Sequence, residues 1–125
     1  MIRNLTKNCF LAERERWATG YFTRFRGLIG HDFSLFDGMV FPDCSAIHTF
    51  FMGMEIDVLF IDRECTVLKA CSNVPRWKSC LKQKGAWATI ELPAGTIFRT
   101  QTAEDDILRL ENIRTDAILM QEQKQ

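Results

Sequence analysis

Few of the 125 residues are of types that carry out chemistry, and one histidine stands where it invites attention. His48 lies in the run Ile47-His48-Thr49-Phe50-Phe51-Met52, a short distance before Asp57. An imidazole beside a carboxyl group on a neighbouring strand makes a proton acceptor and its orienting partner, the pairing that general acid–base catalysis needs. Glu91 offers a second carboxyl for the same task. A small hydrolase or lyase using His48 with Asp57 or Glu91 is therefore one reading. The opposing reading is structural. A histidine within an aromatic run packs its ring and donates to a backbone carbonyl, and an aspartate between Ile56 and Val58 is costly to bury unless it is hydrogen-bonded or paired, for instance with Arg24.

Other combinations carry less. Cys44 and His48 are four residues apart, but no nucleophile-elbow pattern surrounds either one, and Cys44 reads as a small buried hydrophobe. His31, His48, Cys44, Asp43 and Asp57 are metal-ligating types without an HxH, HExxH or CxxC spacing, so neither a metal nor a cofactor is expected. Five cysteines, Cys9, Cys44, Cys65, Cys71 and Cys80, form an odd set, which reads as free thiols in a reducing compartment. Cys65 and Cys71, six apart, are the pair whose spacing allows a bridge. Arg76, Trp77 and Lys78, with Arg24, Arg26, Lys82 and Lys84, make a local basic patch with one ring able to stack a base or sugar. The alternative is a solvated loop with its long side chains laid along the surface.

Whole-chain arithmetic narrows the classes. Sixteen Lys and Arg balance sixteen Asp and Glu, so no overall positive field gathers phosphates, and no nucleic-acid partner is expected. No apolar run approaches the ~18–20 residues that cross a bilayer, so membrane insertion is not expected either. The start lacks a long apolar segment after its basic residue, which reads as no signal peptide and a cytoplasmic location. With 46% hydrophobic residues and ten Phe in 125, the chain has the material for one core, about a single domain's worth.

The elements that must position these residues are mostly strands. Ile2 to Ala12, around Lys7-Asn8, predicts a hairpin. Trp17, Tyr21, Phe25 and Leu28 recur at helical spacing, predicting one short helix near residues 16–28 that Gly27 and Gly30 end. Gly38 to Phe41 and Ala46 to Met52 read as strands. Ile56 to Ile61 is apolar on both faces apart from Asp57, the mark of a central strand, and Asp62-Arg63-Glu64 turns it into Thr66 to Ala70. Residues 72–85 read as a long surface loop, a type that often rims a site. Ala86 to Leu92 and Thr96 to Arg99 are strands about a Pro93-Ala94-Gly95 turn, and Ile107 to Leu110 is a last one. The fold class is mainly β, an antiparallel β-sandwich or partly closed barrel in a single domain over 1–111, followed by a helical or frayed tail over 112–125.

Five segments in order also match a known pattern. Arg24-Phe25-Arg26-Gly27-Leu28-Ile29-Gly30, Gly38-Met39-Val40-Phe41, Ile47 to Met52, Ile56 to Asp62 and Glu91-Leu92-Pro93-Ala94-Gly95-Thr96 resemble the segments of the DUF192 family, a domain of unknown function. The resemblance runs from about residue 4 to residue 111. It implies a β-sandwich-like domain widespread in bacteria and archaea, without an established activity. The chain departs from the pattern at Ile29, His31, Gly53-Met54-Glu55 and Asp105-Asp106.

Together these readings describe a small noncatalytic module that binds a small molecule or a protein. Its candidate ligand-site residues are His48, Thr49, Asp57 and Glu91, rimmed by Arg76, Trp77 and Lys78. The alternatives are the hydrolase or lyase above and an assembly or accessory protein with an exposed aromatic surface.

Overall fold

Short runs of β-branched and aromatic residues between turn formers favour strands over helices, and the computed structural model follows that bias. It describes residues 1–18, 33–47, 54–75 and 81–111. In chain order these form β1 (Ile2–Asn4), β2 (Cys9–Ala12), β3 (Glu15–Trp17), β4 (Gly38–Pro42), β5 (Ala46–Ile47), β6 (Ile56–Ile61), β7 (Val67–Val74), β8 (Leu81–Lys82), β9 (Ala88–Pro93), a helix α1 (Thr96–Thr100) and β10 (Leu108–Leu110). The protein is mainly β. Its sheets have the orders β10-β1-β2, β3-β4-β9-β6-β7 and β5-β8, and none closes into a barrel. Of the two architectures expected, the sandwich is the one the sheets are consistent with.

The β1–β2 hairpin turns at Asn8, whose φ of 54° is a left-handed value that asparagine tolerates. Its inner residues Ile2, Leu11 and Ala12, with Leu108 and Ile97, pack on Val40, Leu59, Ile61, Ala88, Ile90 and Leu92 of the larger sheet. Gly38 allows that approach. A Cβ there would stand 3.2 Å from both Ala12 Cβ and Leu92 Cδ2, so a side chain would require those neighbours to give by a few tenths of an ångström. A second cluster covers the opposite face of the same sheet, where Met39, Phe41, Ile56, Val58 and Phe60 meet Ala18, Phe36 and Val74. Strand β6, between β9 and β7, therefore has all six residues buried, as its two-sided apolar run requires.

Three elements differ from expectation. Residues 15–17 are a strand paired parallel to β4, so no helix begins at Arg16, and residues 19–28 lie outside the described residues. The Trp17 that opened the helical stripe faces Val40 instead. That pairing also makes the sheet mixed rather than wholly antiparallel. Thr96–Thr100 is a helix, not a strand. Gly95 enters it at φ 95°, Asp57 accepts the Ile97 N–H at 2.8 Å, and Thr100 Oγ1 donates to Thr96 O at 2.8 Å. Finally, the span 72–85 is not all loop: β7 runs on to Val74 and β8 pairs with β5, while 76–80 lie outside the described residues. The expected tail over 112–125 lies outside them too.

Candidate functional site

The pleat of the five-stranded sheet decides which candidate residues can meet. Partners across a ladder share a face, and neighbours along a strand alternate between faces. Asp57 pairs with Leu92, and Leu92 belongs to the cluster under the hairpin. Glu91 pairs with Val58 on one side and Met39 on the other, both of which belong to the opposite cluster. Asp57 and Glu91 thus project from opposite faces and do not converge. His48, Thr49 and the rim residues Arg76, Trp77 and Lys78 lie outside the described residues, as does His31.

Asp57 is fully buried and fully engaged. Strand β7 bulges opposite it, with Ile56 facing Val74 and Val58 facing Cys71, and Asn73 in the bulge sits at φ 52°. The bulge takes the Asn73 N–H out of the ladder, and Asp57 Oδ1 accepts it at 2.9 Å. Oδ2 accepts from Ile97 at the start of α1. One side chain ties β6, the β7 bulge and the helix together through two backbone N–H groups, while Arg24, the partner expected from sequence, lies outside the described residues.

Glu91 is the reverse case. It is 4% exposed, its Oε2 has no hydrogen-bond partner, and its neighbours across the ladder are apolar. Burial alone pushes its carboxyl from an ordinary 4.5 to about 8, so near neutral pH it is held mostly as the acid. The other buried side-chain atoms without a partner among the described residues are Glu15 Oε2 and Trp17 Nε1, both on β3. Arg16, between them, turns to the Glu91 face, because it is in register with Met39. Its guanidinium lies over the Phe36 ring, 4.8 Å from the centroid. Sequence reasoning passed over Arg16 and Met39. Their placement depends on a parallel pairing that no local pattern announces.

Cys65 and Cys71 are thiols made less reactive by their surroundings. Cys9, Cys44, Cys65 and Cys71 are free, and Cys80 lies outside the described residues. Burial, then the charges of Asp62 and Glu64, push the Cys65 thiol up; burial also raises Cys71, with Glu104 adding to it and Lys69 opposing. A raised thiol pKa means less thiolate and a weaker nucleophile. Cys65 packs on the hairpin side and Cys71 on the other, so the pair that spacing allowed is separated by the sheet. Cys44 Sγ donates to Ala46 O at 3.1 Å.

Among the described residues, no three His, Cys, Asp or Glu side chains gather as metal ligands, and no helix is long and apolar enough to cross a membrane. An open groove of about 510 Å³ lies beyond the sheet end, lined by Asp43, Asp62, Glu64 and Trp87 among others. It is distinct from the Glu91 face. Asp62 Oδ1 there already accepts the Glu64 and Thr66 N–H groups as the turn demands.

Comparison with known proteins places this geometry in a lineage. The family model described as "Uncharacterized ACR" matches residues 10–110. A UPF0127 protein of Thermococcus sibiricus is 33% identical over an alignment of 104 residues that covers 78% of this chain and 66% of that protein, so the chain spans just under two thirds of its relative's length. Two crystal structures share the fold. A protein of unknown function from Novosphingobium aromaticivorans superposes with a TM-score of 0.67 at 21% identity, covering 77% of this chain and 74% of the other. A candidate transcription regulator from Sinorhizobium meliloti gives 0.68 at 22%, covering 76% and 79%.

Proposed function

The chain belongs to the DUF192 family, whose members' activity is uncharacterised, and from the geometry of its central sheet we propose that it is a noncatalytic domain that binds a small molecule on the Glu91 face. One observation carries this reading. Glu91 is a buried carboxyl whose Oε2 has no partner among the described residues, set in an apolar layer, an arrangement that costs stability and that a well-packed hydrophobic side chain would avoid. Groups so placed concentrate at functional sites. His48 and Thr49 remain candidate contributors from sequence. Asp57 serves in a supporting role, fixing β6 and α1 from the other face.

A binding role is favoured over catalysis by what surrounds the carboxyls. Of the two carboxyls that the acid–base alternative would pair with His48, Asp57 has both oxygens engaged by backbone N–H groups, which leaves Glu91. The raised Cys65 and Cys71 thiols add no nucleophile. The test is a thermal-shift screen of small organic acids, amides and amines against the native chain and Glu91→Gln. Compounds that raise the melting temperature of the native chain but not of the variant support the reading. Compounds that stabilise both equally, or none that stabilises the native chain, count against it.

A further inference from the structure

We propose that the Glu91 face takes a small organic carboxylate, with its charged end on Arg16 at the β3 edge and its apolar body laid across Met39 toward Glu91. This rests on the reading of that face as a ligand site and adds the ligand's class. Three side chains stand in one row: Arg16 is in register with Met39, and Met39 with Glu91. Strands about 4.8 Å apart put the outer two Cα atoms roughly 10 Å apart, the length of a short aryl or branched acid.

Each member of the row has a property that suits this occupant. Arg16 is exposed and makes no ion pair with a described residue. Its guanidinium is held over the Phe36 ring, 4.8 Å from the centroid, and its N–H groups suit a carboxylate in a bidentate fork. Met39 is buried in the second cluster, and as an unbranched, polarizable side chain it is the one whose re-packing would admit an apolar body. At the inner end Glu91 Oε2 has no partner, and a carboxyl kept neutral by burial supplies a hydrogen bond without a negative charge. That separates ligand classes. An amine would meet the Arg16 charge and find no counter-charge at Glu91, whereas a carboxylate finds its counter-charge at the rim.

Titration calorimetry of the full chain at pH 6.5 with 3-phenylpropionate, its primary amide and 3-phenylpropylamine tests this. The acid is expected to bind at least tenfold more tightly than the amide or the amine. Arg16→Gln should weaken the acid at least tenfold, and Arg16→Lys, which keeps the charge but not the fork, should weaken it less. Circular dichroism melting confirms that each variant is folded, and Arg16→Lys against the native chain carries the comparison if Arg16→Gln is not. An amine that binds best, an acid that binds Arg16→Gln as well as the native chain, or no binding by any probe overturns the proposal. If acid binding depends on Glu91 but not on Arg16, the ligand class falls while the Glu91 site stands. If it depends on neither, both fall.

Discussion

Asp106 and Glu91 are both acidic residues only 4% exposed, and the protein treats them in opposite ways. Around Asp106 the chain has assembled a full set of donors. Asn4 Nδ2 and the Ala103 N–H each donate to Oδ2 at 3.0 Å, and Lys7 Nζ reaches it at 3.0 Å. Asn4 is itself buried: its Nδ2 also donates to Thr102 Oγ1, and its Oδ1 accepts the Lys7 N–H. Burial works against the Asp106 charge, but the bonds from Asn4, Ala103 and Lys7, together with the Lys7 charge, outweigh it and hold the carboxyl below its usual range. Around Glu91 there are Met39 and Val58, and burial acts unopposed. The Asp106 corner joins the β1–β2 hairpin to the turn before β10, so its polar groups serve the fold. Glu91 Oε2 joins nothing among the described residues, and the fold would be more stable without the carboxyl's charge. That contrast separates a structural carboxyl from a candidate functional one.

The comparison can be broken most forcefully at Glu91. Its folded pKa of about 8 lies above the ordinary 4.5, so the native state holds a proton that the unfolded chain releases. The favourable protonated form is fully present below about pH 4.5, and stability declines as pH rises toward 8, at about 1.4 kcal/mol per pH unit. Over that window the loss amounts to about 4–5 kcal/mol. Glu91→Gln should abolish this dependence and be the more stable protein at pH 8 by a similar margin. Urea denaturation of both proteins at pH 5, 6.5 and 8 measures it.

Asp57 sharpens the contrast from the other side. Asp57→Ala leaves the Asn73 and Ile97 N–H groups without their acceptor and should cost about 3 kcal/mol, read as a fall in the urea midpoint. An unchanged midpoint would mean that the bulge and α1 hold their shape without it. The smallest effect belongs to Asp106, where the sign reverses. Its lowered pKa contributes stability above its unfolded value of about 3.9, and that contribution disappears as pH falls through the folded value. Asp106→Asn should cost about 1–2 kcal/mol at pH 6 and make acid unfolding below pH 4 less steep.

Much of the fold was legible because its strands obey local rules. The six-residue β6, the turn at Asp62 and the hairpin around Asn8 each follow from period and turn chemistry in a short window. What could not be read depends on distant partners. Thr96 to Thr100 has strand-like residues, but Gly95 and the borrowed acceptor of Asp57, forty positions away, set a helical turn there. Trp17 fits a helical stripe in sequence, yet the parallel pairing with β4 overrides that period. The site was legible in the same uneven way. Asp57 and Glu91 stand out as carboxyls within apolar runs, but only the register shows them on opposite faces, and only packing shows which one is satisfied. Arg16 and Met39 gave no signal because their relation to Glu91 crosses three strands.

The central claim is that Glu91 is an uncompensated buried acid, and a direct titration tests it. Carbon-13 NMR of side-chain carboxyl groups, with Glu91 assigned through Glu91→Gln, follows its protonation in the folded protein. A resonance that titrates near pH 8 meets the account. One that titrates near 4.5, like an ordinary glutamate, would mean that the carboxyl is solvated or paired, and the case for a ligand on this face would lose its foundation.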